Sequence, residues 1–171
     1  MRPATTDHMV PSEEHATSVA VVPFWSRCVR HYGMLAARID LVQPLFALAV
    51  RVYVASVFFA SGLTKLHDWR ITLELFRNEY RVPLLSPSLA ALLGTSAELT
   101  LPVLLVAGFG GRLAALALFA FNVVAATSYP DISAAGLKDH VLWGALMLVL
   151  VIYGPGRLSL DHLLAHRVRH A

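Results

Sequence analysis

Polar and apolar positions fall in long blocks along this chain. Residues 1–18, MRPATTDHMVPSEEHATS, are polar and aperiodic, the pattern of a disordered tail. The apolar patch VAVVPFW that follows is short, broken by Pro23, and lacks a small-residue cleavage site, so no secretory signal is expected. Four long apolar runs come next, at about 42–63, 88–108, 112–129 and 134–153. Each is close to the roughly 20 residues that a helix needs to cross a hydrocarbon core. Pro44 fits the first turn of the first run, and Ser86-Pro87 reads as cap and first helical position of the second. Tyr129-Pro130 ends the third; Ser133 caps the fourth and Gly154-Pro155-Gly156 stops it. The strictly apolar part of the fourth is only Val141–Tyr153, so its span has to include Lys138, Asp139 and His140.

Between the first two runs lies DWRITLELFRNEYR. Trp69, Leu73, Phe76 and Tyr80 recur at helical spacing, with Arg70, Glu74, Arg77 and Arg81 on other faces and Asp68 placed to cap. The pattern predicts an amphipathic helix lying in the membrane interface with aromatic anchors. The tail RLSLDHLLAHRVRHA predicts a second, basic one, and no internal repeat is present. The fold class expected is therefore all-α: an integral membrane four-helix bundle with a periplasmic interfacial amphipathic helix between the first two spans. Residues 1–40 read as a flexible basic cytoplasmic segment, 41–157 as the transmembrane domain, and 158–171 as a basic cytoplasmic tail.

An even number of spans puts both termini on one side. Arg2, Arg27, Arg30, Arg38, Arg112, Arg157, Arg167 and Arg169 fall on that side, against Lys65, Arg70, Arg77, Arg81 and Lys138 opposite. Basic residues gather on cytoplasmic loops, so both termini are expected in the cytoplasm.

Composition agrees with lipid as the solvent. The chain is 57% hydrophobic and 15% charged, with mean hydropathy +0.62, whereas soluble domains have about 45–50% apolar and about 25% charged residues. The net charge of +3 is not gathered in a folded polar domain, so no nucleic-acid partner is expected. The single cysteine, Cys28, rules out an intramolecular disulfide and reads as an inert or acylated juxtamembrane thiol.

Polar residues inside the spans carry the candidate chemistry. Arg51, Glu98 and Asn122 each lie about nine or ten residues into their runs, near mid-depth at 1.5 Å per residue. An arginine there costs about 2.5–3.5 kcal/mol on insertion scales, and a carboxylate on a neighbouring helix relieves it. The expectation is an Arg51–Glu98 pair with Asn122 completing the hydrogen bonds. Such a pair either fixes helix register without any chemistry or handles a ligand or proton. A second group gathers toward the outer surface: Lys65, Asp139 and His140, with His67 and Asp68 nearby. Small residues (Gly62, Gly144) leave room, and Phe58, Phe59 and Trp143 would wall an outward pocket. The competing readings are snorkelling for Lys65 and a polar helix end for His140.

His162, His166 and His170 share one spacing, but no Cys or carboxylate cluster joins them, so no metal site is expected. There is no GxGxxG, P-loop, HExxH or CxxC.

RVYVASVFFASGLTKL, from Arg51 through Gly62 and Lys65, resembles the first helix of the DoxX family of small four-helix membrane proteins. GTSAELTLPVLLVAGFGGRLAALAL, with Glu98, Gly108 and Arg112, resembles its second and third helices. The likeness covers about residues 44–160. It implies a four-helix inner-membrane protein tied to redox chemistry, since relatives are described as membrane subunits of quinone-reducing or quinol-oxidising complexes. SYPDISAAGLKDH and GPGRLSLD resemble a branch that accompanies small copper-binding peptides and the iron enzymes that modify them. His140 is the lone histidine expected near a span, so bis-histidine haem ligation lacks its second ligand. The function expected is that of a small subunit or accessory of a quinone-linked or metal-linked redox pathway, with a protein partner in the membrane or periplasm. A bound quinone would take a hydrogen bond from Lys65 or His140, with Asp139 relaying the proton. The rival readings are a small transporter for a metal or sulfur species and a ligand-free assembly scaffold.

Overall fold

A computed structural model describes residues 24–169, and these form six helices with no strand among them. They are α1 (Phe24–His67), α2 (Trp69–Asn78), α3 (Pro87–Ala107), α4 (Gly111–Ser128), α5 (Ala134–Tyr153) and α6 (Leu160–Arg169). Four of them, α1, α3, α4 and α5, are long and apolar enough to cross a membrane. A third or less of each apolar window is buried, and the outward Leu and Val side chains are what a bilayer solvates.

The chain divides into two units, 1–37 and 38–171. Within the first, residues 24–37 are helical, which corrects the expectation of a flexible segment running to residue 40. The expected tail over residues 1–18 lies outside the described residues, as does His170. Pro44 lies well inside α1 rather than in its first turn. Helical hydrogen bonding on both sides carries the helix through it, although Pro44 offers no N–H to the carbonyl of Asp40.

In the second unit the core joins Val50, Val54 and Phe58 of α1, Leu105 of α3, Ala114, Ala115 and Leu118 of α4, and Met147 and Leu150 of α5. The alanines of α4 leave little side-chain bulk, which lets neighbouring helices come close. A smaller cluster seats Phe76 of α2 on Ala90 and Ala91 of α3, with Leu73, Tyr80 and Val82 around it. The aromatic face expected to anchor α2 in lipid is thus largely turned onto α3, while Trp69 and Ile71 stay accessible.

The predicted caps form. Asp68 accepts from Ile71 N at 3.0 Å, Ser133 from Gly136 N at 3.0 Å and Ser86 from Leu89 N at 3.4 Å. Gly108 ends α3 at φ 65°, a conformation that favours glycine.

Candidate ligand-binding cavity

Helical side chains lean toward their own N-terminus. Lys65, in the last turn of α1, therefore leans back into the bundle. Glu98, on antiparallel α3, leans toward the end that carries α2. The two meet. Lys65 Nζ donates to Glu98 Oε1 at 2.8 Å, to Oε2 at 2.7 Å, and to Ser61 Oγ at 2.8 Å. Ser61 Oγ in turn donates to Glu98 Oε1 at 3.1 Å. Gly62 admits this approach, since a Cβ there would lie 3.0 Å from Glu98 Cβ and from Leu99. Pro102 also removes the amide that would bond the Glu98 carbonyl one turn back.

Arg51, Glu98 and Asn122 are buried at 0%, 5% and 3% exposure, but they form three separate contacts. The expected Arg51–Glu98 pair is corrected by side-chain lean. Arg51 points toward the opposite end of the bundle from Glu98, where its guanidinium packs against Gly108 and donates to the Leu158 carbonyl. Gly108 lies about 15 Å along α3 from Glu98 at 1.5 Å per residue. Asp161 is the carboxylate whose charge acts on Arg51 there. Asn122 completes neither residue: its Nδ2 donates to the His140 carbonyl at 2.9 Å, and its Oδ1 lies 2.7 Å from His140 Nδ1.

The expected outward pocket divides in the same way. Lys65 and Glu98 lie at a cavity of about 250 Å³ among α2, α3 and α4, lined by Phe76, Tyr80, Val82, Leu93, Phe121 and Ser128 among others. His140 instead borders a groove between α4 and α5 with Asn122, Phe119 and Gly144. Phe58 and Trp143 do not wall the pocket; Phe58 belongs to the core, and Trp143 packs edge-to-face against it at 5.6 Å. Phe59 lies in a separate lipid-facing groove of α1 and α3, and Asp139 is exposed. The physical reason is rotational. Lys65 faces α3 while His140 faces α4, so shared depth does not bring them together.

Cavity residues missed from sequence come mainly from α2 and the segment after it. Phe76 stacks on Tyr80 at 4.7 Å, and Tyr80 meets Tyr129 at 5.3 Å. Thr72 Oγ1 donates to the Lys65 carbonyl at 2.9 Å, fixing α2 to the end of α1. Arg81 N donates to the Ser128 carbonyl at 2.7 Å, tying the following segment to the end of α4. Burial, followed by the charges of Glu98, Tyr129 and Glu79, pushes the Tyr80 phenol up, so it stays protonated at neutral pH. The amphipathic pattern of α2 was the available signal; that its aromatic face would wall a cavity was not.

The arrangement can hold an apolar body against aromatic walls while a neutralised ion pair meets one polar group. Among the described residues, no three His, Cys, Asp or Glu side chains gather where a metal ion would be held. The family model DoxX matches residues 46–130, which takes in α2 and α3, all of α4, and the part of α1 that carries Arg51, Ser61 and Lys65. This chain belongs to the DoxX family. No curated protein and no solved structure matches it. In this DoxX-family chain, the helix that supplies the His140 and Trp143 side chains lies outside the matched segment, whereas Lys65, Glu98 and Ser128 lie within it.

Proposed function

We propose that this DoxX-family protein is a small inner-membrane subunit or accessory of a redox pathway, and that it works by holding a quinone-class molecule in the cavity beneath α2. The observation that carries this reading is the cavity itself. A quinone head group needs an apolar slot with one or two polar contacts, and about 250 Å³ bounded by Phe76, Tyr80 and Phe121 with Lys65–Glu98 alongside meets that need. The quinone-linked form is preferred over the metal-linked one because the described residues offer no set of metal ligands. Catalysis by this chain alone is not part of the reading; a partner in the membrane or periplasm would supply or remove the electrons.

The basic-residue bias supports a reading with both termini in the cytoplasm and α2 and the cavity on the periplasmic side. An impermeant thiol reagent should then fail to label Cys28 in intact cells and should label a cysteine introduced at Arg77 in a Cys28→Ser background.

The deciding experiment is purification of the full chain in native lipid nanodiscs, followed by extraction and mass spectrometry for quinones, metals and partner proteins. Quinone should co-purify with the wild type and fall away in Lys65→Met. If no quinone is found and Lys65→Met and Glu98→Gln both complement a deletion strain fully, the reading is wrong and an assembly scaffold explains the protein better.

A further inference from the structure

The hydrogen-bonding valences around Lys65 and Glu98 can be counted. An ammonium has three protons, and Lys65 Nζ has three acceptors: Ser61 Oγ and both oxygens of Glu98. It has no proton left to give. Glu98 Oε1 accepts twice, from Ser61 and Lys65, while Oε2 accepts once, from Lys65. A carboxylate offers about four lone-pair positions, so the open valence of this triangle is an acceptor on Oε2. The pair is neutral as a whole, and a charged ligand would enter a low-dielectric site without compensation.

Ser128 supplies an independent observation. It lines the same cavity at 1% exposure, and its hydroxyl has no hydrogen-bond partner. Its carbonyl is engaged by Arg81 N. The Val124 carbonyl, which a helical serine at this position would normally bond, already receives Thr127 Oγ1 at 3.2 Å. Buried hydroxyls without partners are uncommon, and one on a cavity wall fits a group that a ligand satisfies.

We infer that the cavity takes a neutral lipid-phase molecule through a hydroxyl group that the ligand donates, with Glu98 Oε2 as the acceptor and the Ser128 hydroxyl as a second polar contact. This rests on the cavity reading above and sharpens it. A carbonyl oxygen can accept from the Ser128 or Tyr80 hydroxyl on the cavity wall, but it finds no donor in the Lys65–Glu98 triangle without breaking the ion pair. A phenolic hydroxyl can use those groups and also fill the open acceptor on the charged Glu98 carboxylate. The favoured class is therefore the hydroxyl-bearing, reduced form of a ring compound, a hydroquinone or simple phenol, in preference to the corresponding quinone.

The test uses the full-length protein in nanodiscs under anaerobic conditions, with three probes carrying the same decyl tail: a benzohydroquinone, its quinone, and a phenol. The hydroquinone and phenol should bind roughly ten-fold more tightly than the quinone, as a hydrogen bond to a charged acceptor implies. Ser128→Ala should leave the melting temperature of the ligand-free protein unchanged or raised, because it removes an unsatisfied hydroxyl, yet weaken the hydroquinone several-fold. In the Lys65→Met/Glu98→Leu double variant, the preference for hydroxyl over carbonyl should disappear. Equal or tighter binding of the quinone by the wild type would overturn the hydroxyl inference and leave the cavity reading standing. Failure of all three probes to bind would overturn both.

Discussion

Lys65 Nζ lies 2.7 Å from Glu98 Oε2, joining the last turn of α1 to the middle of α3. The contact closes because the two antiparallel helices lean their side chains in opposite directions in space, Lys65 back into the bundle and Glu98 toward the end that carries α2, so the head groups meet between them. The relationship sets the depth of the cavity floor and the spacing of the two helices at that level.

Removing one member of this pair leaves the other buried without compensation. Lys65→Met or Glu98→Leu alone should cost about 3 kcal/mol, the lower part of the range for broken buried pairs, since Lys65 keeps some exposure. The double variant should recover about 2 kcal/mol of the summed loss. Arg51→Met combined with Glu98→Leu should instead be additive. Thermal or denaturant unfolding in nanodiscs reads both cycles, and coupling found in the Arg51 cycle but not in the Lys65 cycle would reverse the assignment.

Gly62 is where α1 and α3 approach at this level. A methyl group there meets Glu98 Cβ and Leu99 at 3.0 Å, tighter than ordinary packing. Gly62→Ala should therefore force the helices apart and cost about 1–2 kcal/mol, despite alanine's better helix propensity. Gly33→Ala, where a Cβ meets nothing within 4 Å, is the control and should be neutral or stabilising. Equal melting temperatures for the two variants would show that the close approach is not energetically important.

The four spans, the helix between the first two, and the caps at Asp68, Ser86 and Ser133 were legible in the sequence. Each depends on local chemistry: block length, helical periodicity, or a short polar side chain before an apolar run. Burial of Arg51, Glu98 and Asn122 was legible for the same reason, since depth follows from counting along a helix. Their partners were not. Depth counted at Cα ignores the lean of long side chains, which carries the Arg51 and Glu98 head groups toward opposite ends. Rotation about the helix axis is also invisible to a depth count, so Lys65 and His140 looked like neighbours while facing different helices. The start of α1 was missed because arginines and His31 interrupt its apolar positions, and a flexible basic tail shows a similar composition.

Tyr80 and Tyr129 lie beyond the ends of α2 and α4, outside the spans, and both phenols are pushed up. Burial is the chief cause for Tyr80, with the Glu98 charge next; for Tyr129 it is the charge of Glu79. An unfolded tyrosine loses its proton near pH 10, so from about that pH the unfolded chain gains stability that the folded protein does not. The contribution is complete below pH 10 and declines as pH rises toward the folded values. Wild-type protein should lose melting temperature as pH rises above about 10, and Tyr80→Phe should lose less over that rise. Glu79→Gln should flatten the Tyr129 share while leaving that of Tyr80 largely intact. Identical pH profiles for wild type and all variants would remove these phenols from the alkaline transition.

At the other end of the bundle, Asp161 binds two helices together through backbone amides. Its carboxylate accepts from Gly110 N at 2.8 Å and Gly111 N at 2.7 Å, and its own amide donates to the Gly108 carbonyl at 3.0 Å. α4 begins with glycines that offer no capping side chain, so the first residues of α6 supply the cap. A negative charge at a helix N-terminus is also favourable through the helix dipole. The same segment presents the Leu158 carbonyl to Arg51, which has unpartnered Nε and Nη1 beside it. Asp161→Ala should thus cost about 1 kcal/mol from the lost cap, and more than that in total because the buried Arg51 loses a compensating negative charge. Limited proteolysis should release the α6 segment faster in Asp161→Ala than in wild type, with Asp161→Asn intermediate because one acceptor oxygen remains. Arg51→Met should reduce the extra penalty of Asp161→Ala, leaving mainly the cap. Hydroquinone affinity should stay within about two-fold of wild type throughout, since the Asp161 clamp and the cavity lie at opposite ends and distant sites are close to independent. Wild-type proteolysis rates in Asp161→Ala, with an unchanged melting temperature, would mean that α6 is held by something other than this clamp.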